Sequence, residues 1–204
     1  MQKSQLRDKL FRKRAQAFSS DQVGGLIAAG DLAQSGRAYL SSLQASINWQ
    51  DRVVAGYIPI GSEIDPRPLM AVFAEHGANL CLPEVVSSDA PLQFRAWSPG
   101  DMLVNGLCKT LQPLETAAVV EPDFILLPLV GVDQHGVRLG QGGGYYDRSL
   151  EVLVKREALT GRKVMAFGVA FDEQMIDELP KEIHDQYLDG LFTPHCCKLW
   201  NEER

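Results

Sequence analysis

Phe124-Ile-Leu-Leu-Pro128, followed by Leu-Val-Gly-Val-Asp133 and then Gln-His-Gly-Val-Arg-Leu-Gly-Gln-Gly-Gly-Gly-Tyr-Tyr-Asp-Arg148, reads as a buried strand, a glycine-rich loop and the start of a helix. The strand is apolar at successive positions, as expected where both faces of a sheet are covered. The helix begins at Tyr145 and runs to about Leu159. Upstream, Leu6, Leu10 and Phe11 place a helix over 1–17, and a second helix follows the Ser19, Ser20 and Asp21 capping oxygens and runs to about Ser46. Arg52–Ile60 reads as a strand, Pro66–His76 as a helix, and Asn79–Val86 and Leu92–Trp97 as strands. Downstream, Lys163–Phe171 is a strand, Glu173–Leu179 a helical turn and Tyr187–Thr193 a last strand. Strands alternating with helices predict an α/β fold, a three-layer single domain over 1–204. Its sheet is mostly parallel, with helices on both faces and ligands at the carboxyl ends of the strands.

Composition narrows the function classes. Hydrophobic residues make up 45% and charged residues 23% of 204 residues, the balance of a globular chain rather than a disordered one. A formal net charge of −6 disfavours nucleic acid as a partner. The longest apolar run, Phe124–Val132, is nine residues and includes a proline, whereas a spanning helix takes about 20. No apolar stretch follows the charged N-terminus as it would in a signal peptide. The four cysteines, Cys81, Cys108, Cys196 and Cys197, form no C-x-x-C pair and suit reduced thiols. These features predict a soluble, cytoplasmic protein with no membrane partner, and a monomer is the expected state.

Five glycines occupy the nine positions 136–144: Gly136, Gly140, Gly142, Gly143 and Gly144. Glycines let backbone N–H groups approach a ligand, and the positive end of the helix that follows favours an anion such as phosphate. Arg138 and Arg148 flank the loop and can add charge-assisted hydrogen bonds. The nucleotide P-loop is absent, because no Lys-Ser or Lys-Thr follows, and Tyr145 stands where a dinucleotide fingerprint needs its last glycine. On chemistry alone the run is an anion-binding loop, with a plain tight turn as the alternative. Six of the 20 basic residues also fall within the first 17 positions of this acidic chain, which is either a solvated face or an anion site.

Arg138-Leu-Gly-Gln-Gly-Gly-Gly-Tyr-Tyr-Asp-Arg148 closely resembles the signature of the 5-formyltetrahydrofolate cyclo-ligase family, R-L-G-x-G-x-G-[YF]-Y-D-[RK]. Other landmarks occur in the family's order: Lys3 to Arg7, Tyr57-Ile-Pro-Ile-Gly-Ser-Glu63, Phe167-Gly-Val-Ala-Phe171, Leu179-Pro180 and His184-Asp-Gln-Tyr-Leu-Asp189. The resemblance spans nearly the whole chain. It implies a NagB/RpiA/CoA-transferase-like fold and an ATP- and Mg²⁺-dependent enzyme that closes 5-formyltetrahydrofolate to 5,10-methenyltetrahydrofolate.

Carried over residue by residue, the resemblance implies ATP binding by Lys3, Arg7, Arg138, Leu139, Gly140, Gln141, Gly142, Gly143, Gly144, Tyr145 and Tyr146. Folate falls to Glu63 and Ile58, with Gln141, Gly142, Gly143, Gly144 and Tyr145 beside them. Arg138, Tyr145 and Arg148 are the expected catalytic side chains, and Asp147 and Asp185 the expected Mg²⁺ ligands. Many family members carry Arg at the position of Gln141, and a Lys two residues later is common; Gln141 and Gly143 remove that charge here.

In the implied reaction the formyl oxygen attacks the γ-phosphate, N10 attacks the activated carbon, and phosphate leaves with ADP formed. Such chemistry needs positioning and charge neutralisation rather than a covalent nucleophile. His184 therefore stays outside the catalytic set. Two alternatives remain open: a ligase acting on another small carboxylate, and a folate-binding relative without turnover.

Overall fold

The computed structural model describes residues 3–20, 25–43, 47–181 and 186–200. Two helices open the chain, α1 (Lys3–Ser20) and α2 (Leu26–Ser42). They are followed by β1 (Val53–Ala55), α3 (Arg67–Glu75), β2 (Asn79–Glu84), β3 (Gln93–Ala96), β4 (Leu103–Asn105) and β5 (Leu111–Pro113). The second half carries β6 (Phe124–Pro128), β7 (Gly131–Asp133), β8 (Arg138–Leu139), α4 (Tyr145–Thr160), β9 (Met165–Val169), β10 (Met175–Ile176), β11 (Gly190–Phe192) and β12 (Cys197–Leu199).

Seven strands form the main sheet in the order β12-β11-β9-β6-β1-β2-β3. β11, β9, β6, β1 and β2 run parallel, and antiparallel β12 and β3 close the two edges. Alternation along each strand sends successive side chains to opposite faces. Val54, Leu80, Leu82, Phe124, Leu126, Phe167, Val169 and Phe192 meet α2 and α3 through Leu32, Tyr39, Leu40, Leu69, Met70, Val72 and Phe73. Ala55, Cys81, Ile125, Leu127, Ala166 and Leu191 lie under Leu150 and Leu153 of α4. These are the three layers the sequence predicts. α1 packs separately, with Leu6 and Leu10 against Val130, Val137, Leu139 and Leu179, beside a small sheet ordered β10-β7-β8.

Several sequence expectations are corrected locally. Ser19 and Ser20 complete α1 rather than cap α2, the Ser20 hydroxyl donating to the Gln16 carbonyl at 2.9 Å. α2 starts instead after Gly25, which has a left-handed φ of 84° and provides no side-chain cap. The strand expected over Arg52–Ile60 pairs only across Val53–Ala55, because Pro59 lacks a donor and Gly61 turns with φ 62°. The helical turn expected over Glu173–Leu179 is a single 3-10 turn, Asp172–Gln174, leading into β10. β4, β5, β7, β8, β10 and β12 are two or three residues each, too short for an alternation pattern to reveal them.

The packing centre is aromatic. Phe167 is fully buried, and its ring lies 4.5 Å from that of Phe124, 5.3 Å from Phe192 and 5.6 Å from Tyr39, centroid to centroid. Truncation here opens a cavity that close-packed neighbours fill only in part. Phe167→Ala is expected to lower the unfolding free energy by about 3–5 kcal/mol, read as a lower urea midpoint with little change in slope.

Candidate active site

The strand order reverses between β1 and β6: β2 continues from β1 on one side, and β9 continues from β6 on the other. Open α/β sheets bind ligands outside the carboxyl ends of the strands at such a point. The chain leaving β1 carries Ile58 and Glu63, and the chain leaving β6 carries the glycine loop. One hydrogen bond joins the two, from Gln141 Nε2 to Glu63 Oε1 at 2.6 Å.

Glu63 is 4% exposed. Its Oε2 accepts the Ile60 amide at 2.8 Å, and Arg14 Nη1 stands 3.6 Å from Oε1. Burial pushes the Glu63 carboxyl up from the ordinary range, while the Ile60 amide, Arg14 and Gln141 pull it down. Tyr57 and Tyr146 add two phenols to the same surroundings. Burial and the Glu63 charge raise both of their pKa values, so they stay protonated.

The centre of the loop before α4 is exposed. Gly142 has φ 109° and Gly144 φ 66°, values that L side chains rarely adopt. The first bond of α4 runs from the Arg148 amide to the Gly144 carbonyl at 3.1 Å, and Gly144 supplies no capping side chain. The amides of Tyr145, Tyr146 and Asp147 therefore stand ahead of the helical ladder, at the positive end of the dipole. Gln141, Gly142 and Gly143 are exposed, and Leu139 is buried behind them.

Charged groups frame this loop. Arg7 Nε donates to the Gly140 carbonyl at 2.9 Å, and the Arg7 guanidinium faces the Gly142 position. Lys3 and Arg7 are half-buried, whereas Lys9 and Lys13 are exposed. Arg138 is 7% exposed and donates to Asp147 Oδ1 at 2.5 Å and to the Gln186 carbonyl at 2.6 Å. Arg148 donates to the carbonyls of Ala90, Ser88 and Gly143 at 3.2, 2.9 and 3.0 Å, and its guanidinium lies 5.0 Å above the Tyr145 ring. Both flanking arginines are engaged with the protein and hold the loop from two sides. The Tyr145 hydroxyl meets Cys108 Sγ at 3.3 Å, a contact that raises its pKa.

Asp147 sits in the first turn of α4 with its side chain 39% exposed. Mg²⁺ uses one or two carboxylates and completes its shell with phosphate oxygens and water, so a single partly open carboxylate beside the loop fits that ion. Asp185 and His184 lie outside the described residues. No three metal-binding side chains gather among the described residues.

Two residues here escaped sequence reading. Arg14 continues the buried stripe of Leu6 and Leu10 at a spacing of four, and that position was its only signal. Asp133 is 1% exposed and accepts the amides of His135, Val137 and Leu179 at 2.8, 3.0 and 3.1 Å, fixing the turn that leads into the loop. An aspartate before a glycine turn carries no such message by composition alone.

A doubly wound sheet with an exposed glycine loop and a buried carboxylate joined at its reversal point has the layout of an α/β enzyme. The profile of the 5-formyltetrahydrofolate cyclo-ligase family matches residues 1–194, and the chain belongs to that family. A 5-formyltetrahydrofolate cyclo-ligase of Mycolicibacterium smegmatis is 35% identical over 200 residues, covering 94% of this chain and 93% of the relative. One from Escherichia coli K12 is 32% identical over 152 residues, covering 72% and 79%. The solution structure of Aquifex aeolicus 5,10-methenyltetrahydrofolate synthetase superposes with a TM-score of 0.71 at 28% identity, covering 100% of this chain and 95% of its own. A Mycoplasma pneumoniae synthetase shares the fold, with a TM-score of 0.68 at 23% identity, covering 96% and 100%.

A Cβ on Gly144 would stand 2.7 Å from Arg148 Nη1 in a left-handed conformation, whereas Gly140 faces open space. Gly144→Ala is expected to cost about 1–2 kcal/mol of stability and Gly140→Ala less than about 1 kcal/mol, compared by urea denaturation.

Proposed function

We propose that this chain catalyses the ATP-dependent cyclisation of 5-formyltetrahydrofolate to 5,10-methenyltetrahydrofolate, releasing ADP and phosphate. The observation that carries the reading is the Gln141–Glu63 hydrogen bond, which sets a buried carboxylate against the anion-binding loop at the sheet's reversal point. Family membership supplies the substrate.

The chemistry explains why both subsites are needed. Closing the ring joins N10 to the formyl carbon and expels the formyl oxygen, a poor leaving group. Transfer of the γ-phosphoryl group to that oxygen converts it into a phosphate, which departs when N10 attacks. Charge builds on the transferring oxygens, and donors fixed beforehand lower the barrier most. In this reading the amides around Gly142–Asp147 and the cations Lys3 and Arg7 receive the triphosphate. Arg138 and Arg148 hold the loop in the shape that presents those donors. Glu63, lined by Ile58, Tyr57 and Tyr146, accepts hydrogen bonds from the N–H groups of the pterin edge, and Tyr145 offers a ring to stack on. Mg²⁺ at Asp147 would neutralise phosphate charge. A cytoplasmic monomer completes the reading; among the described residues no helix is long and apolar enough to cross a membrane.

With Mg-ATP and 5-formyltetrahydrofolate, the purified protein is expected to raise the near-ultraviolet absorbance of the methenyl product in step with ADP formed. Tight folate binding with no absorbance rise across nucleotides and metals would select the binding-protein alternative. Asp147→Ala is expected to lower kcat by about 100-fold or more while leaving 5-formyltetrahydrofolate affinity within about threefold. Equal loss of both would assign Asp147 a purely structural role, through the ion pair with Arg138 that the substitution breaks.

A further inference from the structure

We infer that Arg14 is a positioning residue for the folate subsite, holding the Glu63 carboxylate ionised and fixed from behind while its exposed partner Gln141 gives way to substrate. The inference rests on the folate reading of Glu63 given above and adds the group that makes a buried carboxylate usable.

Arg14 is 4% exposed, rare for an arginine without a dedicated role. Its contacts converge on the reversal point. Nε donates to Ser62 Oγ at 3.2 Å, and Nη1 donates to the Leu129 carbonyl at 3.4 Å while standing 3.6 Å from Glu63 Oε1. Ser62 and Glu63 follow β1 and Leu129 follows β6, so one guanidinium from α1 ties together the two strand ends that form the site. The Phe11 ring lies 5.1 Å from its Cζ and closes the near side.

The groups facing Glu63 come from four places: Arg14 on α1, the Ile60 amide and Tyr57 after β1, Gln141 in the glycine loop and Tyr146 on α4, the Ile60 amide and then Arg14 doing most to favour its ionised form. Arg14 is the one cation among them. Two phenols held neutral do nothing to oppose the loss of hydration that drives Glu63 toward its protonated form. Gln141, the glycine-loop partner, is a neutral amide and is exposed, so an incoming N–H donor can replace it. Arg14 cannot be displaced from its buried place without opening the α1 packing. A protonated Glu63 would lose half of its capacity to accept a pair of N–H groups. The charge that keeps it a paired acceptor is supplied from outside the glycine signature.

The decisive measurements separate charge from structure. Arg14→Gln keeps donors for Ser62 and Leu129 but removes the charge, and Arg14→Lys keeps the charge. By calorimetry without nucleotide, Arg14→Gln is expected to bind 5-formyltetrahydrofolate about tenfold more weakly at pH 7, with the acid limb of the binding profile displaced upward by about one pH unit. Arg14→Lys keeps the limb near its wild-type place, and Mg-ATP affinity stays within about twofold in both. In a Glu63→Gln background, Arg14→Gln should add less than about a twofold loss. Weaker folate binding with an unmoved limb, or the same loss without Glu63, would overturn the inference. A ¹³C-carboxyl NMR titration, with the Glu63 signal identified by its absence in Glu63→Gln, reads the same ionisation with no folate present. A wild-type Glu63 still protonated at pH 7 overturns the proposal even if the Arg14 variants do not fold. A Glu63 midpoint that rises in Arg14→Gln, in a protein that fails to bind folate, would retain the electrostatic role and remove the folate reading instead.

Discussion

Everything at the site follows from one pairing, β1 against β6 in parallel, with Val54 opposite Phe124 and Ala55 opposite Ile125. A parallel pair brings two carboxyl ends to the same edge of the sheet, and here the chain leaves those ends in different directions. One exit turns through Gly61 into the segment carrying Glu63. The other runs through β7 and β8 into the glycine loop. Neither exit alone brings the two together: the first carries the buried Glu63 carboxylate, and the second the glycine loop at the N-terminus of α4. Their register across two central, largely buried strands sets the distance between them.

Buried charges then fix what the strands bring together. Arg14 spans the two strand ends, Arg138 joins Asp147 to the carbonyl of Gln186, and Asp133 gathers three amides at the base of the loop. Buried ions gain little net stability over apolar substitutes, but breaking one leaves a charge without compensation. Such pairs favour one loop geometry over near alternatives. That suits a loop whose glycines contribute no rigidity of their own.

The layered α/β class was legible because β6, β2 and β9 are apolar runs of five or six residues, with helices between β1 and β2 and between β6 and β9. The glycine loop was legible because five glycines in nine positions leave few structural explanations. Short strands were not, since two or three residues carry no period, and the cap of α2 was misplaced because serines two residues apart from a helix end look the same on either side of it. At the candidate site, the loop and Glu63 stood out in the sequence through the family's motifs, whereas the burial of Arg14 and Asp133 did not. Arg14 sits in a basic run that looks like a solvated face, and only its spacing from Leu6 and Leu10 distinguishes it from Lys13. The engagement of Arg148 by three carbonyls also lay beyond the sequence, because its partners at Ser88 and Ala90 are far away along the chain.

The two borders of the main sheet bear on how this chain behaves in company. A strand at a border presents a row of unpaired donors and acceptors that invites another chain to continue the sheet. β12, at one border, is three residues long. At the other, the segment after β5 lies along β3: the Ala96 amide donates to Ala118 and the Val120 amide to Phe94, while the Arg95 guanidinium clasps Glu84 and the carbonyls of Glu115 and Ala117. One margin is too brief to template a neighbour and the other is already sealed by its own chain. Both margins of a sheet rich in valine, leucine and phenylalanine thus offer another chain little backbone to pair with.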